Sequence, residues 1–136
     1  MDTTLFKQKL NQIKQQQNEL LTRKNKVQAQ GNGIYDRYQN AILTAEHIPY
    51  FWKYDLNPQT NPFFMERLGV NCVFNPGAIE LEGKFYLVAR VEGNDRKSFF
   101  AVAESDTGVD GFTFWDYPIL LPETADPDIN VYDMRL

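Results

Sequence analysis

The sequence predicts an all-β domain of propeller type, entered through an N-terminal α-helix. Three observations carry this. The chain opens with an amphipathic stretch uninterrupted by Gly or Pro; after residue 70 it turns into short β-rich runs separated by turn residues; and the best of those runs is apolar on both of its alternating sides.

The helix is expected over residues 4 to about 28, where Phe6, Leu10, Ile13, Leu20 and Val27 fall near a seven-residue seam. Gln17 and Lys24 interrupt that seam, which argues against a self-sufficient coiled coil and for docking on the parent domain or a neighbouring subunit. The glycines of "GNG" at 31–33 end this first region, residues 1–30. Residues 31–69, with "HIPYFWKYDLNPQTNPFF", form a second region, predicted to be extended, aromatic and punctuated by proline rather than regular.

From residue 70 to 136 an antiparallel meander is predicted. "AIELE" and "KFYLVARVE" join around Gly83 as a hairpin, and "SFFAVAES" and "FTFWDY" follow after "GNDRK" and "DTGVDG". In the hairpin Phe85, Leu87, Ala89 and Val91 alternate with Tyr86, Val88 and Arg90, so both faces of the sheet are expected to be covered. Propellers meet that need by stacking four-stranded meanders side by side. At roughly 40–45 residues per small blade, the stretch after residue 70 amounts to one blade and the start of a second, and a ring takes at least about four. The expectation is a propeller domain of which only the beginning is present.

Composition narrows the function. No run of apolar residues is long enough for a membrane span, and "MDTTLFKQKLNQIK" lacks the basic segment and apolar core of a signal peptide, so a cytoplasmic protein without membrane partners is expected. Cys72 and His47 are the sole cysteine and histidine, too few soft ligands for a disulfide or a closed zinc site, and no metal is expected. A net charge of -4 provides no broad field for phosphate backbones, which argues against a nucleic-acid partner. "GNG" lacks the preceding strand and the Lys-Ser/Thr pair of a phosphate-cradling loop, and Cys72 with His47 would make a nucleophile pair only by tertiary accident.

Two stretches can carry chemistry. In "DPDINVYDMRL", Asp126, Asp128 and Asp133 lie within eight residues, with Asn130 and Arg135 among them. A solvated turn capped by Asp and Asn accounts for that spacing. "NVYDMRL" also fits a strand, in which Val131, Asp133 and Arg135 would share a face. In "FNPGA", Asn75 stands at the entrance to a strand with Pro76 and Gly77 in a turn; fifteen positions on, Arg90 interrupts an apolar strand and needs a structural carboxylate, an anion or a polyhydroxyl ligand as its partner. Arg96 and Lys97 in "GNDRKSFF" fit solvent-facing turn charges or a ligand role. From composition and spacing alone the conclusion is a β-rich aromatic domain with a possible sugar-like site.

These same residues carry a resemblance. "GNGIYDRYQNAILTAEHIPYFWKYDLNP", "ARVEGNDRKSFFAVAES" and "DPDINVYDMRL" resemble the opening of glycoside hydrolase family 130, in its branch of mannosylglucose phosphorylases; the leading helix matches only in character. The resemblance implies a five-bladed β-propeller and an inverting reaction converting 4-O-β-D-mannosyl-D-glucose and phosphate to α-D-mannose 1-phosphate and glucose. It implies no cofactor, with inorganic phosphate as co-substrate, and a homo-oligomer when the enzyme is complete. The motif matched by "YDMR" points to Asp133 as the catalytic acid, and the family's mannose contacts match Asn75, Arg90 and, less directly, Arg96. The family's phosphate ligands come from later blades, so the expectation is an N-terminal portion, inactive by itself. A non-catalytic carbohydrate-binding or assembly module and a β-mannoside hydrolase are the alternatives.

Overall fold

The computed structural model describes residues 3–28, 31–123, 125–126 and 131–136. Its centre is a four-stranded antiparallel meander in the order β1 (Val70–Leu81), β2 (Lys84–Gly93), β3 (Ser98–Ser105) and β4 (Thr113–Phe114). The hairpin expected around Gly83 is present: Leu81 pairs with Lys84, and the two residues between them, Glu82 (φ 52°) and Gly83 (φ 79°), both have positive φ. That is the backbone a two-residue hairpin loop requires to match the twist of its strands. β2 and β3 pair without interruption from Phe85–Ser105 to Glu92–Ser98.

Alternation along β2 divides the sheet into two apolar faces, as the pattern predicts. Leu87, Ala89 and Val91 join Ala101, Ala103, Phe112 and Phe114 on one face, whereas Val88 joins Phe100 and Val102 on the other. Ala89, Val91, Ala101 and Ala103 are fully buried, and the small alanines let a covering segment sit close to the sheet. That segment comes from residues 42–54. Ile48, fully buried, and the partly buried Ile42, Leu43 and Trp52 pack on the first face. The Trp52 indole lies 6.1 Å from the Phe99 ring and 6.0 Å from Phe114, and its Nε1 donates to the Asp116 carbonyl at 2.6 Å. The second face is covered in part by Ile119, Val131 and Met134.

Residues 45–53 are more regular than the sequence suggests. A 3₁₀ turn over Ala45–His47 is followed by a single helical turn, α2 (Tyr50–Lys53). The 3₁₀ turn is closed by a reciprocal cap, in which the His47 backbone N–H donates to the Thr44 carbonyl and the Thr44 N–H donates to His47 Nδ1 at 3.0 Å. Burial, then the Arg23 charge, push the His47 pKa down, so the imidazole stays neutral and acts as an acceptor in a capping role.

The N-terminal helix, α1 (Thr4–Thr22), stops six residues short of its predicted end. Beyond Thr22 the backbone is taken up by other partners. The Asn25 amide donates to the carbonyls of Asn40 and Val109, both at 2.9 Å, and its backbone N–H donates to Asp110 Oδ2 at 3.1 Å. Gln28 and Gln39 then exchange backbone bonds with Arg37 and Lys26. The two residues that interrupt the apolar seam hold this region to its own chain: Gln17 donates to the Ile48 carbonyl at 2.7 Å, and Lys24 reaches Asp110 at 3.5 Å. Phe6 is buried edge-on against Phe64, which stacks on Tyr54.

Truncating the plug between the covering segment and the sheet, Ile48→Ala, is expected to cost about 2–5 kcal/mol, read as a lower urea midpoint at unchanged slope. Asp110 gives a pH prediction. The Asn25 N–H, then the Thr107 hydroxyl, hold its carboxyl below the usual aspartate value of 3.8. Its stabilising contribution is therefore complete above that value and lost as pH falls through the lower folded-state value. Asp110→Asn should lower stability at neutral pH and flatten its acid limb below about pH 4; an unchanged acid limb in thermal scans would contradict this linkage.

Candidate functional site

The site is built where β1 departs from regular pairing. Phe74 opposes Arg90 and Gly77 opposes Val88, so three steps along β1 match two along β2. The extra residue makes a bulge. Asn75 takes φ 49° there, a left-handed conformation that asparagine tolerates better than most side chains, and Pro76, which has no N–H to give a ladder, fits at such an irregularity. The turn expected at "NPG" is thus a bulge inside a strand.

Residues 131–136 lie against this bulge. A Cβ on Gly77 would stand 2.6 Å from the Met134 carbonyl oxygen, so only glycine admits the segment at this distance. The segment is irregular rather than the strand its alternation suggests, because it forms no ladder with the described residues. Val131 and Met134 face the sheet, packing near Val88, Phe100 and Val102, and Asp133 has φ 31°. That places the Asp133 side chain beside the bulge, where the Asn75 Nδ2 donates to its Oδ1 at 2.8 Å. Asp133 Oδ2 has no hydrogen-bond partner among the described residues.

Arg90 is next to this pair. Its guanidinium is sandwiched between the rings of Phe74 at 4.5 Å and Tyr132 at 4.4 Å, the chain neighbours of Asn75 and Asp133. Nε donates to Ser98 Oγ at 3.0 Å and Nη2 lies 3.4 Å from Glu92 Oε2. Glu92 Oε1 in turn accepts from Asn71 Nδ2 at 2.8 Å.

Of the residues singled out in the sequence, Asn75, Arg90 and Asp133 are therefore brought together. Arg96 is not in contact with them: it occupies the β2–β3 turn at φ 68°, exposed, its backbone N–H bonded to the Gly93 carbonyl. Asp126 and Arg135 are exposed, and Asp128 and Asn130 lie outside the described residues. Burial and the nearby Glu92 charge push the Cys72 thiol up, the wrong direction for a nucleophile. Among the described residues no three His, Cys, Asp or Glu side chains converge as a metal site would require. A cleft of about 390 Å³ lies between α1 and residues 46–54, away from this constellation.

Tyr132, Glu92 and Asn71 are parts of the site that the sequence reading passes over. Glu92 was accessible to it: two residues from Arg90 on one strand, the two must share a face. Tyr132 was not, since its stacking depends on a segment whose path no local pattern predicts.

Chemically, the constellation offers a carboxylate with one oxygen held and one open, an amide that orients it, and a fixed cation alongside. Such a set can pass a proton and hold hydroxyl groups.

In comparisons with known proteins, no family model matches the chain. The chain is 54% identical over 133 residues to the 4-O-beta-D-mannosyl-D-glucose phosphorylase of Bacteroides fragilis, an alignment taking in 98% of this chain and 34% of that protein. The chain thus spans about a third of the length of the curated relative it matches.

The bulge makes a stability prediction that separates backbone from side chain. Asn75→Ala loses the bond to Asp133 and puts a poorly tolerated residue in the left-handed region, an expected cost of about 2–3 kcal/mol. Asn75→Gly loses the bond but adopts that backbone freely, so its urea midpoint should fall less; equal losses would mean that the backbone conformation is not what asparagine supports.

Proposed function

We propose that this chain supplies the general acid and part of the mannose site of an inverting β-mannoside phosphorylase of glycoside hydrolase family 130. In this reading its meander is the first blade of a five-bladed propeller and residues 131–136 lead into the second. The observation that carries the reaction is the close match, along nearly the whole chain, to a mannosylglucose phosphorylase. The geometry supports the same residues: Asn75, Arg90 and Asp133, far apart in sequence, converge at one bulge.

An inverting hydrolase needs one carboxyl group as acid and a second as base to activate water. Phosphate is already an anionic nucleophile, so the base becomes dispensable and a single aspartate is enough. A phosphate oxygen forms a bond to mannose C1 from the face opposite the leaving group as the C1–O4 bond to glucose breaks. The departing oxygen gains a proton that originates on Asp133 and passes through the mannose 3-hydroxyl. Since Asp133 Oδ1 accepts from Asn75, Oδ2 is the oxygen suited to carry that proton. Asn75 and Arg90 orient the mannosyl ring, where positioning supplies much of the rate, and Arg96 in the adjacent turn is a further sugar contact. No cofactor takes part. In this reading the phosphate ligands come from later blades, outside these 136 residues, which by themselves are expected to be inactive.

The test uses the full-length gene product with 4-O-β-D-mannosyl-D-glucose and inorganic phosphate. Phosphate-dependent formation of α-D-mannose 1-phosphate is expected, falling by about 10²–10⁴-fold in Asp133→Asn. Release of mannose without phosphate would make the protein a hydrolase, sugar binding without product would make it a binding module, and full activity in the variant would remove Asp133 from the mechanism.

A further inference from the structure

Arg90 has a guanidinium fixed on three sides. Its two faces are covered by Phe74 and Tyr132, and one edge is occupied by Ser98 and Glu92. The residue that fixes that edge is unusual in its own right. The Glu92 side chain is only 13% exposed, and a carboxylate withdrawn from water to that extent is costly unless its charge is paired. Both of its oxygens are used, one by Arg90 and one by Asn71, so it acts as a bridge from β1 to the arginine rather than as a free acid.

The strands make this bridge stiff. Arg90 and Glu92 are two residues apart on the same face of β2, Ser98 is the cross-strand partner of Glu92, and Phe74 that of Arg90. What is left of the guanidinium is Nη1. Arg90 is buried overall, but Nη1 has no hydrogen-bond partner among the described residues, and since no fully buried side-chain nitrogen or oxygen among them lacks a partner, Nη1 keeps an opening to the surface.

We infer that Glu92, held by Asn71, is a positioning residue: it fixes the inner edge of Arg90 so that Nη1 is presented to the sugar beside Asp133. This rests on the reading of Arg90 as a mannose contact. An arginine on a long flexible stem has to be ordered when substrate binds, and one already clamped by a carboxylate and two rings avoids that step. Lysine could not take its place, having neither the planar fork nor the flat faces that the clamp uses.

A double-mutant cycle in the full-length protein tests this, with circular dichroism to verify folding. Glu92→Ala should lower kcat/KM for mannosylglucose about 10- to 100-fold, and Glu92→Gln, which keeps an oxygen facing Arg90, should lower it less. In an Arg90→Ala background, Glu92→Ala should bring no further loss, because its effect passes through the arginine. Losses that add, or a lowered melting temperature with unchanged kcat/KM, would make Glu92 a structural residue only and overturn the inference. Should Glu92→Ala fail to fold, Glu92→Gln carries the same cycle. If Arg90→Ala itself leaves kcat/KM unchanged, Arg90 is not a sugar contact and both readings fall; loss in Arg90→Ala with none in either Glu92 variant removes the inference alone.

Discussion

The Met134 carbonyl oxygen occupies the space where a side chain on Gly77 would begin. That close approach between a strand bulge and an irregular segment is the constraint on which the candidate site depends. It brings Asp133 to Asn75 and Tyr132 to Arg90, and it lays Val131 and Met134 over the second apolar face of the sheet. Any larger residue at position 77 would push residues 131–136 away from the bulge, and the contacts with Asn75 and Arg90 would be lost together.

Two backbone conformations sustain this approach at a cost. Asn75 and Asp133 both have positive φ, which is unfavourable for residues with a Cβ, yet they are the residue types that tolerate it best. Their side chains bond to each other, so the strained positions and the candidate chemistry coincide. The surroundings are well suited to hold them. The bulge opposes the most buried part of β2, and the first face of the sheet is sealed by Ile48 and Trp52 from a segment that α1 grips through Gln17. A site borne by paired strands and an aromatic sandwich loses less order than one carried by loops alone.

The elements that were legible in the sequence are those set by local pattern. The period of two in residues 84–92 locates β2 and its two faces, and Gly83 marks the hairpin turn, where the structure shows a positive φ. The N-terminal helix is visible in its seam, but its end is not: Asn25 and Gln28 are claimed by residues 37–40 and by the loop before β4, partners no helical periodicity can indicate. Similarly, the alternation of Val131, Asp133 and Arg135 suggests a strand, but a strand is a pairing, and no described strand pairs with it. Local pattern singles out Asn75, Arg90 and Asp133 and resemblance to a family gives them expected roles, whereas their meeting at one bulge and the contact of Glu92 with Arg90 belong to tertiary structure.

The most direct measurement is a crystal structure of the full-length Asp133→Asn variant with 4-O-β-D-mannosyl-D-glucose. The account predicts the mannosyl ring against the bulge, with Asn75 and Arg90 Nη1 within hydrogen-bond reach and the amide of residue 133 beside the mannose 3-hydroxyl. A disaccharide bound elsewhere, with Arg90 and Asn75 untouched, would contradict it.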